Sequence, residues 1–130
     1  MANTVTQRTL VGGGKDKNIY NLIHIASDGS EETDLVVYDN SALVANTAKG
    51  SLRQVWLSGH GAGLVRLEWD QTTDAPAFAG SPDSGGYWDF RSFGGINNPG
   101  AAGLTGDLVL TTLALDASDE IFLIIHVDQS

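Results

Sequence analysis

Two carboxylates, Glu68 and Asp70, stand two residues apart in the run Leu64–Asp70. Alternate residues of a strand share a face about 7 Å apart, a spacing within the range that glycoside hydrolases use for their acid and base. Arg66 falls on the same face, so a solvated or interfacial charge ladder is the expected role instead. Asp28, Glu31, Glu32 and Asp34 offer the hard oxygens that calcium takes. They lack the alternating ligands and distal glutamate of an EF-hand loop, and a solvated acidic turn is expected. His24, His60 and His126 are scattered, two on strands and one at a glycine-rich loop tip. Strand histidines of this kind are expected to be packed or hydrogen-bonded rather than metal-bound.

Gly12-Gly13-Gly14-Lys15 invites comparison with a phosphate loop, but Asp16 follows the lysine and a strand follows the turn, where a Walker loop needs Ser or Thr and a helix. A hairpin turn is expected there. Ser58-Gly59-His60-Gly61 does not place its serine between glycines as a nucleophile elbow does. The residues therefore assign no catalytic group, no metal ligand and no cofactor.

The elements that carry these groups are strands, because nearly every apolar run alternates with a period of two and no stretch of helical length shows a period near 3.6. Thr4 to Val11 is β-prone but weakly apolar, the pattern of an edge strand or an arm that joins a partner's sheet. Asn18 to Ala26 has apolar residues on both faces and reads as a central strand. Leu35 to Tyr38 is a short buried strand, and residues 41–50 hold a single helical turn or a loop. Leu52 to Ser58 and Leu64 to Asp70 flank a glycine-rich tip and read as an antiparallel hairpin. Ala77 to Ala79 is a short edge strand, Tyr87 to Arg91 a further strand, and Asp107 to Leu115 and Glu120 to Val127 close the domain. About eight strands with 16 glycines suit a single antiparallel β-sandwich, jelly-roll-like, with an extended arm at residues 1–17 and the sandwich at 18–130.

At 130 residues the chain is long enough for one core without staples, and the absence of cysteine excludes disulfides and thiolate metal sites. A formal charge of −9 and a pI near 4.4 argue against nucleic acid as a partner. No apolar run is long enough to span a bilayer, and the polar start lacks the regions of a signal peptide. A soluble protein with no membrane partner, assembled in a reducing cytosol, is expected. Residues 1–17 hold Arg8, Lys15 and Lys17 against Asp16, a net +2, which leaves −11 for the remainder of the −9 total. The arm and the body thus have opposite polarity.

Trp56, Trp69 and Trp88, with Tyr87 and Phe90, make up a large share of the candidate core. Trp69 is expected inside, whereas Trp88 lies beside the longest loops and is a candidate interface anchor.

The segment Met1 to Thr6 running into Leu10-Val11, the stretch Leu67-Glu68-Trp69-Asp70 and the stretch Thr105 to Thr112 resemble a family of small structural proteins of tailed bacteriophages. The resemblance covers most of the chain, and its motifs encode no chemistry. It implies a non-enzymatic capsid decoration, or cement, protein: a β-sandwich, made in the host cytoplasm, that sits as a homotrimer on the outer capsid surface and binds the major capsid protein. With the residues, it makes Thr4, Val5, Thr6, Gln7, Arg8, Thr9, Leu10, Val11, Tyr87 and Trp88 the candidate capsid or protomer interface. A tail, neck or head-fibre component is the second class of function. A carbohydrate-binding module, with Trp88 and the 71–86 loop stacking on sugar rings, is the third.

Overall fold

A computed structural model of the chain describes residues 3–13, 16–39, 50–61, 63–99 and 106–128. Ten strands are assigned among them: β1 (Thr4–Gly13), β2 (Asp16–Asp28), β3 (Leu35–Tyr38), β4 (Ser51–His60), β5 (Leu64–Trp69), β6 (Ala75–Gly80), β7 (Gly86–Asp89), β8 (Ile96–Asn97), β9 (Leu108–Leu113) and β10 (Ala117–Asp128). One 3-10 turn, Arg91–Phe93, separates β7 from β8. The turn or loop expected at 41–50 lies outside the described residues, apart from Gly50.

The strands form two antiparallel sheets packed face to face, an all-β sandwich. One sheet has the order β1-β2-β10-β4-β7, with β8 also paired to β4, and the other has the order β3-β9-β5-β6. Every pairing is antiparallel.

Alternation explains which side chains go inside. Ile23 and Ile25 of β2, Leu123 and Ile125 of β10, and Val55 and Leu57 of β4 turn toward the second sheet. They meet Val65, Leu67 and Trp69 of β5 and Leu108 and Leu110 of β9, all buried. Each such side chain contributes about 1.5–3 kcal/mol by leaving water. Trp69 is fully buried, its ring edge-on to Tyr38 with centroids 6.4 Å apart.

β1 and β2, consecutive in the chain, pair antiparallel as the two arms of a hairpin, as expected, out to Gly13 and Asp16. β1 is paired along its length to β2 and forms one edge of the larger sheet, and β2 is an interior strand. Because β2 begins at Asp16, the boundary drawn at 17/18 falls inside a continuous strand.

The expected β4–β5 hairpin is not formed. β4 pairs with β10 and β7, whereas β5 pairs with β6 and β9 in the opposite sheet. The glycine-rich tip is a crossing between layers. Gly59 sits there at φ +141°, and a Cβ on it would strike the carbonyl oxygen of Glu120 on β10. Only glycine allows β4 and β10 to close so tightly before the chain leaves the sheet. β9 and β10, adjacent in sequence, also lie in opposite sheets.

Candidate functional site: the outer face of the six-stranded sheet

The groups singled out for chemistry are engaged in structure. Glu31 accepts hydrogen bonds through Oε1 from the Thr112 hydroxyl at 3.0 Å and from the Leu115 amide at 3.1 Å. Glu32 accepts from Asn3 Nδ2 at 2.7 Å, and Asp28 accepts from the Ser30 amide at 3.0 Å. These carboxylates anchor the crossing from β2 to β3. Asp34 leaves that turn and meets Glu68 and Asp74, with carboxylate oxygens within 4.8 Å of one another. Burial, and then the Asp74 charge, push the pKa values of Asp34 and Glu68 above the usual carboxylate range. Glu68 thus faces the carboxylates of Asp34 and Asp74.

The histidines do not converge. His24 Nε2 lies 3.0 Å from Glu120 Oε1, and His60, largely exposed, lies 3.8 Å from Asp119. His126 is buried in a relay of its own, described below. A cleft of about 230 Å³ opens between the β1–β2 hairpin and β3, lined by Gln7, Arg8, Thr9, Asn21 and Val36 to Asp39 among others. Among its described lining residues the ionisable ones are Arg8, Tyr38 and Asp39.

The feature that sets this sandwich apart is the outward face of its larger sheet. A sheet with one face on the core presents polar residues on the other. Here one row of cross-strand neighbours runs Arg8, Leu22, Ile124, Trp56, Tyr87 over five strands. The row on one side of it holds Tyr20, His126, Gln54 and Asp89, and the row on the other holds Thr6, His24, Phe122 and Ser58. All are on the opposite side of the pleat from Ile23, Ile125 and Val55.

Ring packing organises the face. Trp56 stacks on Tyr87 with centroids 5.0 Å apart, and Tyr20 stacks on His126 at 4.2 Å while its ring lies 6.2 Å from that of Trp56. Tyr87 and Phe122 remain 48% and 40% exposed, values that leave the aromatic surface open to a partner. Beneath the rings runs a polar relay across four strands. His126 Nε2 lies 2.9 Å from Asn18 Oδ1, His126 Nδ1 lies 2.8 Å from Gln54 Oε1, and Gln54 Nε2 donates to the Tyr87 hydroxyl. Burial holds the His126 imidazole below the ordinary histidine value; Asp128 opposes this and Arg53 adds to it.

Charges on the face are neutralised in place. Arg91 forks onto Asp89, with Nε to Oδ1 at 2.9 Å and Nη2 to Oδ2 at 2.8 Å, and holds that carboxyl well below the usual carboxylate range. Arg53 Nη2 donates to Asp128 Oδ2 at 2.9 Å. Arg8 has no ion-pair partner among the described residues. Of the arginines with described side chains only Arg66 lies elsewhere, on the other sheet beside the Asp34, Glu68 and Asp74 cluster. The outer face is therefore close to neutral on a molecule of net charge −9.

The structure divides the expected interface residues. Thr4, Thr6 and Arg8 are exposed on the outer face of the edge strand, and Gln7 and Thr9 are exposed on its inner side. Val5 packs against the core. Tyr87 points outward, whereas Trp88 pairs with Val55 and turns inward, its ring edge-on to Phe78 with centroids 4.9 Å apart. Trp56, a candidate core residue by composition, stands outside instead. Sequence reasoning also missed Tyr20, Leu22, Phe122 and Ile124 as surface residues. Their signal was present: β2 and β10 are apolar on both faces, which two sheets of one sandwich cannot cover.

No model of a known protein family matches this chain, and no curated protein or solved structure does either.

Proposed function

We propose that the chain is a non-enzymatic virion structural protein of a tailed phage, which decorates and stabilises the capsid by binding the major capsid protein lattice as a trimer. Its place is the outer surface of the shell. The resemblance carried by Met1 to Thr6, Leu67 to Asp70 and Thr105 to Thr112 motivates the reading. The observation that carries it on the structural side is a rigid sandwich with one near-neutral aromatic face on an otherwise acidic body. Contacts repeated around symmetric sites need little more than such a face and an open strand edge. We further read the order β1-β2-β10-β4-β7 over β3-β9-β5-β6 as a jelly roll, since the chain crosses between the layers after β2, β3, β4, β6, β8 and β9.

The direct test is the copy number of this chain in purified virions, measured by quantitative mass spectrometry. Stoichiometry comparable with the major capsid protein is expected. A handful of copies would move the protein to the tail or neck, and none would remove it from the virion. Truncation of residues 1–11 is the second arm, with loss of capsid occupancy expected. The sugar-binding alternative places Trp88 and the 71–86 loop against sugar rings; the Trp88 ring lies edge-on to Phe78, and loss of glycan-array binding on Trp88→Ala is the test of that reading.

A further inference from the structure

We infer that the outer face of the six-stranded sheet is the surface through which copies of this chain pack against one another, with the β1 edge of one copy against the β7 edge of the next. The inference deepens the decoration reading by naming the subunit interface, and rests on that reading only for the expectation that copies associate.

The first argument is electrostatic. At −9, two copies repel wherever their carboxylates face each other. The loop carboxylates Glu31 and Glu32, and the Asp34, Glu68 and Asp74 cluster on the second sheet, make those surfaces poor contacts. On the outer face the ionic groups are already paired with one another, Arg53 with Asp128 and Arg91 with Asp89, and His24 is hydrogen-bonded to Glu120. Arg8 alone among the arginines of that face is left without an ion-pair partner among the described residues. A second copy presents the same apolar, near-neutral surface.

The second argument is the asymmetry of the central row. It begins at one sheet edge with Arg8, exposed and unpaired among the described residues, and ends at the other with the exposed Tyr87 ring, one register step from Asp89. β10 lies midway between these edges. A closed arrangement that turns these faces inward about an axis parallel to the strands, twofold or threefold, sets the β1 edge of one copy against the β7 edge of its neighbour. Arg8 then meets the exposed Tyr87 ring, a cation–π contact. The two edges complement each other, which is why the occupant is another copy and not an unrelated flat protein.

The third argument is size. The three rows above and the row Thr4, Ala26, Glu120, His60 hold 17 side-chain positions, each about 4.8 Å by 6.8 Å, which gives roughly 550 Å² of sheet face per copy. That is close to the lower end of the roughly 600–1,000 Å² that specific interfaces bury on each partner.

The test is the concentration dependence of the mass of the full chain, by sedimentation and light scattering, for wild type, Ile124→Lys and Arg8→Glu. Wild type is expected above the 13.7 kDa monomer. Ile124→Lys, with its strand signal in circular dichroism intact, is expected to be monomeric. Arg8→Glu changes an exposed side chain, so its folding is not at issue, and it is expected to weaken association at least tenfold. Tyr87→Lys placed on Arg8→Glu is expected to restore part of that loss. A wild type that stays monomeric at every concentration overturns the inference, as does a folded Arg8→Glu that associates as tightly as wild type. Neither result touches the virion copy number, so a failure here and a failure of the decoration reading are told apart.

Discussion

Tyr20 lies flat on His126, with ring centroids 4.2 Å apart and planes 10° from parallel, and this cover is what buries an imidazole on the solvent side of a sheet. The ring nitrogens of His126 face Asn18 Oδ1 and Gln54 Oε1. Two acceptors satisfy two N–H donors, whereas a neutral ring has only one. A neutral His126 is accommodated when the Gln54 amide turns over, so that Nε2 donates to Nδ1 and Oε1 accepts from the Tyr87 hydroxyl.

The pH dependence of stability follows from the burial of this ring. The folded-state pKa of His126 lies below its unfolded value near 6.5, so between the two the unfolded chain binds more protons. Stability from this site is complete above about pH 6.5 and is lost as pH falls through the folded value. Urea midpoints measured from pH 7.5 downward are expected to decline below about 6.5, and His126→Gln is expected to remove that part of the decline. A midpoint that rises on acidification over this range would contradict the assignment.

Asp34 and Glu68 titrate with the opposite sign. Their raised pKa values mean that the folded chain binds protons more readily than the unfolded one, and that ionised Asp34 is a cost relieved by acid. Asp34→Asn is expected to raise stability at pH 7. Exposure and solvent screening keep the gain to roughly 0.5 kcal/mol or less. Asn also tolerates the left-handed backbone at this position, where φ is 51°. Chemical denaturation of the variant at pH 7 and pH 4 checks both the gain and its disappearance in acid.

Glu31 fastens the β2–β3 crossing to the end of β9 through Thr112 and the Leu115 amide. Glu31→Gln retains one acceptor oxygen and is expected to cost less than Glu31→Ala, which is expected to lose about 1 kcal/mol. Equal denaturation midpoints for Glu31→Ala and wild type would show that water replaces the carboxylate at no cost.

Trp88 is a packing residue in this structure, set against Phe78 between the layers. Trp88→Ala is expected to lower stability by about 3 kcal/mol, as large aromatic truncations in cores do. Tyr87→Ala, one residue away and facing out, is expected to cost much less in stability and to weaken association of copies. Thermal melts and solution mass on the two variants separate the roles.

Strand identity and inward-facing sets were legible in the amino-acid sequence. Period-two alternation is a local property, so Val65, Leu67 and Trp69 declared themselves as one buried face before any pairing was known. The β1–β2 pairing, the interior position of β2 and the burial of Trp69 follow from the same local rules. The partner of each strand did not. Leu52 to Ser58 and Leu64 to Asp70 look like two arms of a hairpin, yet they lie in different sheets, because a glycine-rich tip permits either a return to the same sheet or a crossing. The choice between them depends on β10 and β9, whose residues are far along the chain. The outer face has the same origin. Tyr20, Trp56, Tyr87 and Ile124 come from four strands, and only the antiparallel registers put them side by side. A single sequence encodes how apolar each strand face is through local chemistry, but which second faces become neighbours is decided by long-range pairing. In this protein that pairing leaves an aromatic surface on the outside.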